Sequence, residues 1–184
     1  RRDWVPCNAP RPLASTLLAR SGQWNFKPLV SVITAPTLRP DGSILDHPGY
    51  DERTGLLLVE SQPFPAIPEQ PDRKQGRAAL DYLLTEVLSG FSFAEPYDCA
   101  SALSAILTAM VRPSLRTAPM HVFSAPLKGS GKSLLADCVA MIATGRPATV
   151  MVFTADPEEQ RKRVLTILMN GDQVLSLDNL EGAL

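Results

Sequence analysis

The chain has 184 residues, which suits about one and a half domains of ordinary size. Hydrophobic residues make up 45% of it and charged residues 20%, values that are typical of a globular protein and exclude a fully disordered or fibrous chain. Its 18 basic and 19 acidic side chains give a formal net charge of -1, so the overall charge gives no support for nucleic-acid binding and leaves only a local patch or an assembled ring for DNA contacts.

Residues 1–61 are predicted to form a small mixed α+β module. Apolar residues at helical spacing, β-rich stretches and turn-forming Pro-Asp-Gly and Thr-Gly sequences alternate there. We expect a β-hairpin or small sheet with one or two helices, and no catalytic group. The predicted elements are a helix over 12–20, a β-rich segment over 29–34, turns at 40–43 and 51–55, and a strand over 56–59.

Prolines mark the end of this module. Of 17 prolines, eleven fall before residue 72, and the stretch 62–72 has one at every second or third position. Such spacing favours extended, polyproline-like backbone, which predicts a linker over 62–75. Two segments with apolar residues at helical spacing follow, at 77–88 and 98–111, so residues 76–117 are predicted to form a helical connector.

From residue 118 onwards, short apolar segments alternate with longer helical ones. The pattern strand–helix–strand–helix–strand predicts an α/β fold with part of a parallel sheet, right-handed crossovers and flanking helices. The predicted strands lie at 120–124, 148–153 and 173–177, and the predicted helices at 132–143 and 157–169.

The segment from Ser124 to Ser133 reads Ser-Ala-Pro-Leu-Lys-Gly-Ser-Gly-Lys-Ser and joins a predicted strand to a predicted helix. That context is the one in which a P-loop binds phosphate, because backbone N–H groups at a helix N-terminus attract a phosphate chain. Glycines let the loop curl, the lysine reaches the terminal phosphates, and the following hydroxyl can hold Mg²⁺. We therefore expect ATP to be bound by Gly129, Ser130, Gly131, Lys132 and Ser133, with Ser133 also a Mg²⁺ ligand.

The loop departs from the common pattern Gly-x-x-x-x-Gly-Lys-Ser/Thr at one position, because Pro126 stands where the first glycine is usual. That glycine mainly eases the bend from strand to loop, whereas the later residues contact phosphate, so we expect nucleotide binding to be retained. The alternative is a Gly-Ser-Gly turn that precedes Lys-Ser at a helix start by chance.

A carboxylate ends the next predicted parallel strand, at Asp178. Since the carboxyl ends of parallel strands lie on one edge of a sheet, we expect Asp178 to face the loop and hold Mg²⁺ through water, in the Walker B role. The alternative is an acidic residue that caps a turn. Asn179 follows where a glutamate usually polarises the attacking water; an amide can orient water but cannot take its proton, and Glu181 is a second candidate for that role.

Three stretches resemble the ATPase region of primase–helicase-type replication proteins of phages and mobile elements, which are P-loop ATPases of the AAA-plus or superfamily 3-like type. They are the Pro-Asp-Gly and Gly-Tyr-Asp region at 35–56, the loop region 118–133, and Leu177-Asp178-Asn179. The resemblance implies a P-loop NTPase sheet in residues 118–184 and an ATP-driven motor that unwinds DNA as a homo-oligomeric ring, completed by an arginine from a neighbouring subunit. Its catalytic residues would be Lys132, Asp178 and Asn179.

Two other functions remain open from the sequence. The first is a nucleotide-binding regulator or adaptor without turnover, which Asn179 favours. The second is an inactive gene fragment, because the chain ends soon after Asp178, before the later strands of a ring ATPase.

The remaining sequence features concern the cellular compartment and contacts with membranes or DNA. The three cysteines are far apart and offer neither a disulfide framework nor a metal pair, and no apolar run could span a bilayer, so we expect a cytoplasmic chain without membrane contacts. The basic run Arg161-Lys162-Arg163 is predicted to be a solvated helix face with local ion pairs; contact with DNA is the alternative.

Overall fold

The computed structural model describes residues 7–59, 64–127 and 129–178, and within them the chain is a mixed α/β protein. None of the helices in this described part has the length and apolar character that crossing a membrane requires. The helices are α1 (Arg11–Ala19), α2 (Arg73–Tyr82), α3 (Pro96–Val111), α4 (Lys132–Thr144) and α5 (Pro157–Met169). The strands are β1 (Ser31–Ile33), β2 (Thr37–Leu38), β3 (Ile44–Leu45), β4 (Gly49–Asp51), β5 (Leu56–Leu58), β6 (Thr149–Val152) and β7 (Leu175–Asp178).

The N-terminal strands form two small β-structures. In the first, β5 lies between β1, which runs parallel to it, and β4, which runs antiparallel. In the second, β2 and β3 form an antiparallel hairpin. Both predicted turns are confirmed, because residues 39–43 close the hairpin and residues 51–55 join β4 to β5. The side chains buried in this region are Ile33, Leu45, Leu56 and Leu58.

Helix α2 begins at Arg73, three residues before the boundary predicted at 76. Its start is fixed by a reciprocal cap: the Gln75 N–H donates to the Asp72 carboxylate at 2.7 Å, and the Asp72 N–H donates to the Gln75 side chain at 2.9 Å. The helix then widens into a π-helical turn over Leu83–Val87. The predicted linker therefore ends in the first turn of a helix.

Helices α3 and α4 pack together and share one core with the segment that follows the π-helical turn. Two of the buried residues of α3 are alanines, and small side chains at a helix contact let the two backbones approach closely. The connector is thus built into the same core as α4. The buried members of this core are Leu88, Ala102, Ala105, Ile106, Leu135 and Val139.

Strands β6 and β7 form the parallel pair that the strand–helix alternation predicts. Thr149 stands opposite Leu175 and Val152 opposite Asp178, and α5 connects the two strands. The predicted end of α5 is also confirmed, since Gly171 follows it with a φ of +76°.

The strand predicted at 120–124 is wrong, because these residues form no strand. Phe123 packs against the α3–α4 core, while Met120 and Val122 remain 62% and 63% exposed. An apolar run becomes a strand only where a neighbouring strand is in register to accept its hydrogen bonds, and apolar composition alone does not reveal that neighbour. In the described residues this sheet consists of β6 and β7.

The outer edge of β1 meets the C-terminal ends of α4 and α5. The Thr34 N–H donates to the Thr144 carbonyl at 3.2 Å, and the Ser31 hydroxyl donates to the Gly171 carbonyl at 2.6 Å. The Arg146 guanidinium donates to a β1 carbonyl at 2.6 Å. The last carbonyls of a helix lack partners within it, so β1 satisfies groups that would otherwise need water. The N-terminal strands are therefore fastened to the end of α4 that is farthest from Lys132.

Candidate functional site

The loop before α4 turns twice through the left-handed region. Gly129 has a φ of +78° and Gly131 a φ of +87°, values that cost a residue with a side chain about 1–2 kcal/mol. These are the two glycines of the predicted phosphate loop. Lys128, which precedes them, lies outside the described residues.

Helix α4 begins with Gly131 as its N-cap, and in the described part of the chain no side chain caps its first turn. The first helical hydrogen bond runs from the Leu135 N–H to the Gly131 carbonyl at 2.8 Å, so the N–H groups of Lys132, Ser133 and Leu134 precede the helical ladder. By contrast, N-cap carboxylates accept from the first turns of α2 and α5, at Asp72 and Asp156, and at the start of α3 the Asp98 carboxylate accepts from the Glu95 N–H. A carboxylate cap would compete with an incoming phosphate; α4 has none.

The Lys132 side chain folds back along the loop. Its Nζ lies 3.5 Å from the Ala125 carbonyl oxygen, at the limit of a hydrogen bond, and the residue is exposed. An ammonium group in such a weak contact can move to a stronger acceptor at little cost. The predicted role of Lys132 requires this freedom.

The loop and the first turn of α4 surround an open depression of about 280 Å³. The residues that line it carry backbone N–H groups, two hydroxyls and one ammonium group, which are groups that can bind an anion. All five predicted nucleotide-binding residues are brought together here. The depression is lined by Gly129, Ser130, Gly131, Lys132, Ser133 and Leu134.

Asp178 is not among the residues that line this depression. It is the last residue of β7, it is exposed, and it stands opposite Val152 of β6. The position at a carboxyl end of a parallel strand agrees with the predicted one, whereas Asp178 does not contribute to the lining of the loop depression. Asn179 and Glu181, the two candidates for orienting a water molecule, lie outside the described residues.

The residues that the sequence predicts as Mg²⁺ ligands are Ser133, through its hydroxyl, and Asp178, through its carboxylate. No group of three or more His, Cys, Asp or Glu side chains that could hold a metal ion occurs among the described residues. A hydroxyl in the phosphate depression fits a Mg²⁺ ion that phosphate oxygens and water also hold, since Mg²⁺ usually keeps several waters and few protein ligands. The residues present therefore fit metal bound together with a phosphate chain better than metal bound alone.

The basic run on α5 is partly engaged with its own surroundings. The Arg163 Nε donates to the Glu159 carboxylate at 2.9 Å, one helical turn away, and its Nη1 lies 3.3 Å from the Val152 carbonyl oxygen. The predicted local ion pair is confirmed for this residue. Arg161 and Lys162 are exposed.

One residue beside the loop, Phe91, is not predicted by any sequence pattern. The ring of Phe91, forty positions earlier, lies against Gly131. No local signal marks it, because the contact depends on how the connector packs on α4.

Comparison with known proteins adds no relative: no protein-family model, curated protein or solved structure matches the chain.

Proposed function

We propose that the loop 129–133 binds the phosphate chain of ATP together with Mg²⁺, and that the chain is the ATP-binding portion of a DNA helicase or primase-type motor from a phage or mobile element. The first part of the proposal depends on the loop itself. The second part depends on the resemblance of the sequence at 35–56, 118–133 and 177–179 to such proteins.

The observation that carries the phosphate proposal is the uncapped first turn of α4 behind two left-handed glycines. Three successive N–H groups, the positive end of a 13-residue helix and a nearby ammonium group meet at one open depression. Each of these features attracts negative charge, and together they suit several phosphate oxygens at once.

In the proposed complex the loop amides of Gly129 to Gly131 hold the phosphates and Lys132 leaves the Ala125 carbonyl to contact the terminal ones. The Ser133 hydroxyl would ligate Mg²⁺, and Asp178 would hold it through water after an approach to the loop. When bound, Mg²⁺ neutralises charge on the phosphate oxygens. Asn179 would orient the attacking water. A P-loop NTPase sheet is the fold that this arrangement requires.

The partners follow from the motor hypothesis. DNA would lie against exposed basic side chains such as Arg161 and Lys162 in a ring of identical subunits, and a neighbouring subunit would supply an arginine to the phosphates. The cytoplasm, where ATP and DNA meet, is the compartment that this function requires.

Calorimetry with Mg·ATP tests the phosphate proposal. We expect Lys132→Ala to raise the dissociation constant by at least about tenfold, because a hydrogen bond to a charged group contributes about 1.5–3 kcal/mol. Lys162→Ala is the matched control, an exposed lysine on another helix, and should bind as the wild type does. Equal binding by both variants, or no uptake by the wild-type chain, would refute the proposal.

A second function, a nucleotide-binding regulator without turnover, is favoured by the position of Asp178 outside the phosphate depression. A carboxylate that does not reach the metal leaves binding intact and hydrolysis slow. ATPase assays with and without single-stranded DNA distinguish the two functions. Turnover that DNA stimulates and Lys132→Ala abolishes supports the motor; binding without turnover supports the regulator; neither binding nor turnover identifies an inactive fragment.

A further inference from the structure

The ring of Phe91 is the closest side chain to the last glycine of the loop. A methyl group on Gly131 would lie 3.4 Å from Cε1 and 3.5 Å from Cδ1 of Phe91, and apart from the chain neighbours of Gly131 no other described residue comes within 4 Å of that methyl position. The open side of Gly131 therefore faces one aromatic ring, with room for little more than a methyl group between them.

That ring is held from behind by the α3–α4 core. Phe91 packs against its buried residues, and its N–H donates to the Leu88 carbonyl at 3.1 Å. The Phe93 ring lies 6.3 Å away, centroid to centroid, at a tilt of 44°. A ring with contacts on several sides cannot move without disturbing the core.

The position matters because Gly131 determines where the first N–H groups of α4 point. Its left-handed φ of +87° is one that glycine adopts readily among several others, so neighbouring atoms decide how firmly the turn is held. A ring about one methyl group away from the glycine limits how far the turn can move towards it, which keeps the amides pre-organised for an anion.

We propose that Phe91 is a positioning residue of the phosphate loop, through which the helical connector determines how tightly the loop binds a nucleotide. This inference rests on the proposed function. It adds that phosphate affinity depends on a residue that touches no phosphate and belongs to a segment that precedes the loop by forty positions.

The test compares Phe91→Ala with Phe93→Ala in the full chain. Both substitutions remove a half-buried ring from the same core, but only Phe91 contacts Gly131. We expect both to lower Tm, and Phe91→Ala alone to raise the dissociation constant of Mg·ATP by about tenfold, within the loss that a slightly misplaced binding group causes. Phe91→Leu, which keeps most of the bulk, should restore most of the affinity. Equal changes in affinity for the two alanine variants would overturn the proposal.

An NMR measurement keeps the inference testable if the alanine variants fail to fold. The ring current of Phe91 should shift the Gly131 α-proton resonance in the wild-type chain; Phe91→Leu should abolish this shift, and Phe93→Leu should preserve it. If the chemical shift of the Gly131 α-proton is the same in Phe91→Leu as in the wild type, the positioning role is refuted. If the wild-type chain takes up no Mg·ATP while Gly131 still responds to Phe91, the proposed function fails and the contact between ring and loop stands.

Discussion

The β2–β3 hairpin and the phosphate loop are both tight turns built on left-handed glycines, yet they treat their polar groups in opposite ways. Gly42 in the hairpin has a φ of +84° and Gly131 in the loop a φ of +87°. The hairpin surrounds its turn with side chains that satisfy one another. The loop has one weak contact of the Lys132 side chain, and no described side chain caps the helix that follows it.

In the hairpin, the Arg39 guanidinium is the centre of the network. It contacts the Asp51 carboxylate at 3.0–3.1 Å and donates to the Ile44 carbonyl at 2.6 Å. Thr54 donates to the same carboxylate from its N–H and its hydroxyl, at 3.1 and 2.7 Å. Arg39 and Asp51 are only 17% and 10% exposed, so these charges are both paired and largely shielded from water.

At the loop, the only contact of the Lys132 ammonium group with a described residue is the 3.5 Å approach to the Ala125 carbonyl, and no described side chain caps α4. Paired charges stabilise a fold, whereas donors that bond mainly to water can exchange that water for a ligand. The difference is the one we expect if the hairpin turn serves structure and the loop, as we propose, serves binding.

The largest expected effect comes from Gly131→Ala, with Gly42→Ala as its partner in the hairpin. Both substitutions force a side chain into the left-handed region, which costs about 1–2 kcal/mol of stability each. Gly131→Ala should also raise the dissociation constant of Mg·ATP by about 100-fold, because relief of the strain moves the amides that hold phosphate. Calorimetry and thermal unfolding of both variants measure the two effects separately.

Gly42→Ala meets no atom within 4 Å of its new methyl group, so strain in the turn is its only expected defect. It should bind Mg·ATP as the wild type does. A parallel loss of affinity in the two variants would mean that the loop is no more specialised for binding than the hairpin.

The sequence predicts the loop well because its geometry is local. The spacing of Gly129, Gly131 and Lys132 at a helix start predicts both the bends and a first turn without a side-chain cap, and this pattern can be read without distant residues. The capped end of α5 and both hairpin turns are equally local, and they too are confirmed.

The predictions that failed, and the features that were missed, depend on long-range packing. The apolar pattern at 120–124 predicts a strand, but Phe123 packs on the helical core instead. The contact of Phe91 with Gly131 and the attachment of β1 to Thr144 join segments that are forty or more residues apart. A single sequence contains no periodicity that reports such pairs.

The next largest effect is expected where the N-terminal strands meet the C-terminal end of α4. A Cβ on Gly145 would lie 2.3 Å from the Thr34 hydroxyl and 2.9 Å from its backbone carbonyl carbon, and the φ of Gly145 is +76°. We expect Gly145→Ala to lower the free energy of unfolding by about 3 kcal/mol, since overpacking and left-handed strain add. Urea denaturation of both forms measures the loss.

Gly76→Ala is the matched control for this junction. Gly76 lies within α2 with open space around it, so alanine there should raise stability by up to about 1 kcal/mol through helix propensity. A Gly145→Ala chain as stable as the Gly76→Ala chain would show that the edge of β1 is not packed on α4 in solution.

The smallest expected effect, and the most specific to the hairpin, concerns Asp51. Its hydrogen bonds from Arg39, and then those from Thr54, hold the pKa of the carboxyl below its ordinary value of 3.8. We expect Asp51→Asn to lower the free energy of unfolding at neutral pH by about 2 kcal/mol, the contribution of a hydrogen bond to a charged group. Mg·ATP affinity should stay unchanged, because the network does not touch the loop.

The pH dependence of that loss identifies its cause. Since the pKa of Asp51 is lower in the folded than in the unfolded chain, its ionic contribution is fully present above the unfolded pKa and disappears as pH falls through the folded one. The stability gap between wild type and Asp51→Asn should therefore be constant above about pH 5 and shrink at lower pH. The pKa of Asp41 is also lowered, by Ser43 and Arg53, but that carboxylate is present in both chains and cancels in the difference. If the difference in free energy of unfolding between wild type and Asp51→Asn stays constant down to pH 3, the shape of the side chain and not its charge causes the loss of stability. The contrast between the hairpin and the loop would then no longer rest on paired charge.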